Sequence, residues 1–584
     1  MNSEWSLDVL YKGTSDPALQ ADMDKLSAQT AAYKELIASL GSEDPKTTLR
    51  KVIDAKEELA VLSRRLGGYF SLRKSANSSD SEGSSYQTKI QALGASTAKE
   101  DVMFEKYVGG LENLDAILDS DDKLKDYHFY FHEIVKSVSH KISDEGEEVF
   151  AKMNISGGRT WHDLFDYLTS SVVADFGDQK LTLAAIRGLA GSDNAAERKA
   201  AYEAELKTYD KIKAPIAFAL NSIKAQVNME AEMRGYENPL AMTLDQSRMQ
   251  KATLDAMWGA IREYLPKFHA YLRHKAELLG HKNGLPWYDI EVSMGKASAK
   301  KFTTEEAHTY LVDHFKDFAP DLADMVDTAF KDAWIDFYPR GGKVGGAFCS
   351  NLPFVKQSRV LTNFTGGFSS VVTLAHELGH AYHGKQIENH RPLNTRYTMP
   401  VAETASNFNE LIIMNDAIAK TSGEEQIQLI ESQIQDCTQT IVDIYSRFLF
   451  EDEVIRRRKD TFLFPEDLEQ IMIHAQKEAF GDGLDPNYLH PYMWCCKSHY
   501  YNAGLSYYNF PYAFGCLFSR GLYAKYLEEG EAFLPKYREL LHATTVDTVE
   551  DVAKIAGIDL TKPDFWRASL DIIAEKIDLF LQYK

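Results

Sequence analysis

Apolar residues recur every three to four positions over long stretches of the chain, the spacing that places them on one face of an α-helix. The stretches 17–40, 47–72, 195–234, 251–279, 305–333 and 425–458 all read this way. The pattern predicts a mainly α-helical protein. Only 17 residues are proline, so few points force a helix to stop. One region breaks the pattern. WIDFYPRGGKVGGAFCSNLPFVKQSRVLTNFT, residues 334–365, holds two glycine pairs and then the runs Phe354–Val355 and Val360–Leu361. It predicts a small antiparallel sheet inserted in a helical body. The small polar run SANSSDSEGSS, residues 75–85, predicts an exposed loop. RGLAGSDN, residues 187–194, precedes a fresh helical run and predicts a boundary between an N-terminal helical lobe, 1–194, and a second, larger domain, 195–584.

Composition narrows the class. The 584 residues are 44% apolar and 26% charged, with 30 Tyr, 30 Phe and 7 Trp, which excludes a disordered chain. Length alone predicts three or four domains. The 65 basic and 86 acidic residues give a net charge of −21, against the clustered positive charge that nucleic acid requires. No run approaches the roughly 18 apolar residues of a membrane span. The first residues, MNSEWSLDVLYKGTSDPALQ, lack a basic-then-apolar signal pattern. The five scattered cysteines form neither a disulfide framework nor a metal knuckle and read as reduced thiols. A cytoplasmic protein is expected, with neither nucleic acid nor membrane as partner.

The segment LAHELGHAYHG, residues 374–384, adds chemistry. His376 and His380 stand four residues apart, so on a helix both project from one face and can share one metal ion. Glu377 follows the first histidine and can deprotonate a water at that metal rather than bind it. HExxH arises by chance in roughly one chain in twenty of this size and composition, so its context matters. Thr365-Gly366-Gly367 reads as a helix start and Gly384 as a helix stop. A catalytic zinc site needs a third protein ligand. His383 lies about 10 Å along the axis from His376, too far unless the helix breaks. Gln386 occupies the metzincin position and excludes that class. Glu403, in MPVAETAS, would fall in the first turn of a second helix begun by Pro400. Glu410, one heptad on, faces the same way and could orient a ligand imidazole or be an ordinary surface carboxylate.

Far downstream, HYYNAGLSYYNFPY, residues 499–512, holds five tyrosines and His499. Tyrosine hydroxyls and an imidazolium can stabilise an oxyanion, although a Tyr-rich helix packed in an aromatic core would have the same composition.

HELGHAYH, with Glu403 of ETAS 27 residues after the first histidine, resembles the thimet oligopeptidase and oligoendopeptidase F family of zinc metallopeptidases, more closely its oligoendopeptidase F branch. GGKVGGAFC before the motif and the His499–Tyr512 cluster are similar to that family too. The resemblance implies a two-lobed helical ellipsoid with a deep central channel and one Zn2+ per chain at its floor. It implies His376, His380 and Glu403 as zinc ligands, Glu377 as general base and His499 as a substrate-binding residue. YAFG of Tyr512–Gly515 is similar to the family's YAxG ending, and Tyr508 fits its preceding aromatic position. Gly504-Leu505-Ser506 lengthens the spacing from His499. The expected activity is hydrolysis of internal bonds of short oligopeptides bound extended, with the 345–365 region pairing by strand addition. The alternatives are a related helical zinc carboxypeptidase, a metallohydrolase of another bond, or a non-catalytic helical metal-binding protein with a closed fourth position.

Overall fold

The structure, a computed structural model, describes residues 2–295 and 300–584. It is mainly helical, and local chemistry sets where helices begin and end. Asp16 and Asp44 cap the helices Pro17–Ala38 and Pro45–Ala76, accepting hydrogen bonds from the Ala18 and Thr47 amides, with proline in each first turn. Pro320 splits the long run at 305–333 into Thr304–Phe318 and Pro320–Lys331, because it cannot continue the ladder. The run at 195–234 divides into Ala195–Tyr209 and Lys213–Met233. The run at 425–458 continues through a π-turn, Thr438–Asp443. The polar stretch expected to be a loop at 75–85 is one only around Asn77–Asp80. From Ser81 it is helical to Ala95, because Asp80 accepts from the Gly83 amide and caps the helix.

Among the described residues two small sheets interrupt the helices. A hairpin of β1 (Val173–Phe176) and β2 (Gln179–Thr182), not anticipated from the sequence, is antiparallel. In the second sheet, β3 (Ile335–Asp336) runs parallel to β5 (Gln357–Leu361), and β4 (Phe348–Leu352) pairs antiparallel with β5 from the other side. The expected antiparallel pair is therefore β4 with β5. Val360–Leu361 lies in a strand as expected. Phe354–Val355 lies in the 3-10 turn that connects the pair, started by Pro353.

This second sheet is a middle layer. On one face Leu352 and Leu361 join the core of the N-terminal helices, with Leu19, Leu66 and Phe70. On the other, β4 and β5 pack on the helix Phe368–Ile387, which carries the HExxH motif. That motif helix lies along the helix Thr404–Lys420, and both join a large core with Phe514, Leu517 and Trp566. A further core combines Phe165 and Leu183 with Leu220, Phe450 and Trp494.

Glycine sets the closest approach. A Cβ on Gly379 would stand 2.5 Å from both the Ala405 carbonyl oxygen and the Ser406 Cα, which are backbone atoms that cannot swing away. Gly384 does not stop the helix, which runs on to Ile387; it makes room for the Asn351 side chain, 2.4 Å from where its Cβ would be. Gly379→Ala should lower stability by about 2 kcal/mol or more through overpacking. Gly341→Ala, where a Cβ would meet nothing within 4 Å, should leave it nearly unchanged. Thermal unfolding of the two variants checks the contrast.

Candidate active site

His376 and His380 project one turn apart from the motif helix, their rings 4.9 Å apart and near perpendicular. Glu403 reaches them from the adjoining chain. It sits at a break, after the single turn Met399–Ala402 and before Thr404–Lys420, with φ −90° and ψ 9°. The expected place in a first helical turn is thus corrected to a junction between two helices, from which the side chain reaches both histidines. Its Oε2 lies 3.3 Å from the Nε2 of both His376 and His380. Ser406 Oγ donates to the same oxygen at 2.8 Å. The Nδ1 of His376 is 2.6 Å from Glu410 Oε1, so Glu410 orients the imidazole and leaves Nε2 for the centre.

Burial alone would keep His376 neutral, but Glu403 and Glu410 outweigh it and push it up to about 10. Burial opposes the Glu403 charge, yet His376 and His380 hold that carboxyl far below its usual range. Glu377 is almost fully buried beside them; burial pushes its carboxyl up against the pull of the two histidines.

The donor set fits a zinc-type ion. Two imidazole nitrogens and a carboxylate oxygen lie within 4.8 Å of one another, and the other nitrogen of the first histidine is already engaged. His383 takes no part. It is fully buried, its Nε2 2.8 Å from Thr544 Oγ1 and its ring stacked on Tyr397.

The tyrosine-rich segment divides cleanly. Tyr500, Tyr501 and Tyr507 are core residues: Tyr501 stacks on Phe165 and donates to the Trp494 carbonyl, and Tyr507 donates to Asp452. Tyr508 and Tyr512 instead gather around half-buried His499. The His499 ring stacks on Tyr508 at 5.0 Å and lies 6.1 Å from Tyr512. The turn that separates the two groups runs through Tyr507, whose φ of 54° reverses the chain. Its amide donates to Glu451, itself paired with buried Lys224 at 2.6 Å. Burial, with the cations of Arg447 and Lys497, lowers the His499 pKa. That shift favours the neutral ring over an imidazolium. Tyr512 is pushed up by burial, by a hydrogen bond with Tyr508 and by the Glu403 charge. That charge is near because Gly515, one turn on, lets the helix Phe510–Glu529 come within 3.1 Å of Glu403 Cβ, measured from an ideal Cβ on Gly515.

Two contributors escaped sequence reasoning. Asn351, on β4, donates to the His380 carbonyl at 3.1 Å. Ser406 could have been found from its place three residues after Glu403; nothing local marks Asn351.

Comparison with known proteins gives the family. Peptidase family M3 matches residues 189–572, and the oligopeptidase F N-terminal family matches 110–173. Oligopeptidase PepF of Bacillus subtilis is 24% identical over 564 residues, covering 94% of this chain and 83% of that protein. A Chlamydophila abortus crystal structure superposes with a TM-score of 0.85 at 20% identity, covering 99% and 98% of the two chains. Oligoendopeptidase F from Enterococcus faecium superposes at 0.72 and 18% identity, covering 97% and 99%. The class is thus a helical peptidase. The chain belongs to peptidase family M3.

Burial lowers His383 from 6.5 to about 3. A histidine depressed in the folded state contributes stability above its unfolded pKa and loses it as pH falls. As pH falls from 6.5 toward 3 this group should therefore cost stability, on the order of 1 kcal/mol per pH unit. Urea unfolding at pH 7 and pH 5 should show a smaller acid loss for His383→Gln than for the wild type.

Proposed function

We propose that the chain is a zinc-dependent endopeptidase that hydrolyses internal bonds of short oligopeptides. One observation carries this reading: Glu403 Oε2 stands 3.3 Å from the Nε2 of both histidines of an HExxH helix, with Glu410 behind the first. His376, His380 and Glu403 would hold the ion. When bound, zinc supplies Lewis acidity that acidifies a water and polarises a carbonyl.

The chain's own residues do the rest. Glu377, raised by its burial, accepts the proton of the attacking water and delivers it to the leaving amine. Neutral His499 and the phenols of Tyr508 and Tyr512 donate to the oxygen that becomes negative as the carbonyl is attacked. Burial holds the Tyr512 phenol protonated, as a donor.

Strand β4 supports an extended substrate. It is an edge of its sheet, and Cys349, Ser350 and Asn351 border a cavity of about 440 Å³ with Arg64 and Tyr397. A peptide laid along that edge would be read through its main chain, with broad side-chain tolerance. A second cavity, about 740 Å³, reaches Glu410 and is walled by Phe368, Val372 and Met414. Among the described residues no helix is long and apolar enough to cross a membrane.

Glu377→Gln should keep its zinc and lose at least about 10²-fold in the rate of fluorogenic peptide cleavage; a loss under about tenfold would remove the general-base role. Tyr512→Phe should lower kcat by about 10²-fold with metal content unchanged, and Tyr508→Phe measured beside it ranks the two donors. A peptide blocked at both ends should be cut internally. Cleavage only of peptides with a free C-terminus would replace this reading with a carboxypeptidase.

A further inference from the structure

The donor arrangement of the active site occurs a second time, on the surface of the N-terminal region. The helix His128–Ser139 opens with His128 and His132, again four residues apart. A carboxylate from another element faces both: Asp115 Oδ1, on the short helix Leu114–Asp119, lies 2.8 Å from His132 Nε2 and 3.6 Å from His128 Nδ1. These three donors lie within 4.8 Å of one another, the same limit that the His376, His380 and Glu403 donors meet. The other nitrogen of the first histidine is again held by a carboxylate, His128 Nε2 to Asp119 Oδ1 at 2.9 Å, as Glu410 holds His376. Two imidazoles, one shared carboxylate and one orienting carboxylate therefore recur in the same roles, with the ligating and oriented nitrogens of the first imidazole exchanged.

We propose that Asp115, His128 and His132 form a second metal site, oriented by Asp119 and selective for a divalent transition metal of the zinc type. Imidazole nitrogen with a single carboxylate suits zinc, cobalt or nickel, whereas calcium and magnesium need several oxygen donors. The site is not hydrolytic, since Phe129 stands where the active site has Glu377 and no general base is supplied. Its effect is mechanical. The ion joins the short helix to His128–Ser139 just beyond Asp126, which accepts from Arg391 Nε and, through its carbonyl, from Asn394 Nδ2, both on the segment that follows the motif helix. Asp115 and His132 are more than half exposed and His128 about a third, against a quarter or less for His376 and His380, so the bound ion exchanges with solvent more readily than one at the active centre.

Equilibrium dialysis of the full chain against micromolar free zinc, with bound metal counted by mass spectrometry, tests the proposal. The wild type should hold one more zinc than His128→Asn/His132→Asn, which should keep its peptidase activity because neither residue touches the active centre. The same increment should persist in His376→Asn/His380→Asn, so the result does not depend on the proposed catalytic metal. Asp119→Asn should weaken the extra ion by about tenfold through loss of orientation, and calcium should not replace it. Equal zinc content in the wild type and His128→Asn/His132→Asn overturns the site, as does calcium binding with the same increment.

Discussion

The candidate active centre depends on how closely two helices approach. Three donors from two separate segments must converge within a few ångströms, and a helix pair normally packs 8–10 Å apart between axes. Gly379, between the two histidines, removes the side chain that would hold the second helix away, and the backbone of Ala405 and Ser406 fills its place. Glu403 then lies directly beside that contact, and Gly515 performs the same service for the helix that brings Tyr512. The spacing of the motif provides the imidazoles; the glycines inside and beyond it provide the geometry.

A second constraint governs the His499 side. The chain must leave the core after Tyr501, turn, and return with Tyr508 against the His499 ring. The turn uses a left-handed conformation at Tyr507, which costs about 1–2 kcal/mol for a residue with a Cβ. It is held by Glu451, which accepts the Tyr507 amide while paired to Lys224, both charges nearly inaccessible. Removing either partner of such a pair leaves an uncompensated buried charge, a cost of about 3–5 kcal/mol. The loop is therefore fixed from beneath by a polar anchor rather than by its own sequence.

Much of this was legible in the sequence. Helical periodicity located the long helices because amphipathic spacing and burial coincide in them. HExxH and ETAS located three side chains that converge because the spacing within each is local. The limits arose where a distant contact decides. The helix that begins at Ser81 sits in a loop-like composition because one aspartate caps it. Gly384 reads as a stop but is a notch for a side chain from a strand. The tyrosines could not be sorted by composition: Tyr500 and Tyr508 differ in their neighbours, not in their local pattern. The parallel strand β3 is two residues long and pairs only because the chain returns beside it.

Asn351 has a consequence beyond its single bond to the His380 carbonyl. Its oxygen accepts from Ser358 across the sheet at 2.7 Å, its nitrogen reaches the motif helix, and its whole side chain sits in the vacancy at Gly384. It works as a key in a keyway. Apolar packing alone leaves a helix some freedom to roll about its axis or slip along it. A polar side chain seated in a slot of that helix, and braced against a second strand, removes both motions. The azimuth of the two imidazoles is thereby indexed to a sheet whose opposite face belongs to the N-terminal helices, so the first third of the chain helps to aim donors that lie some three hundred residues away in sequence.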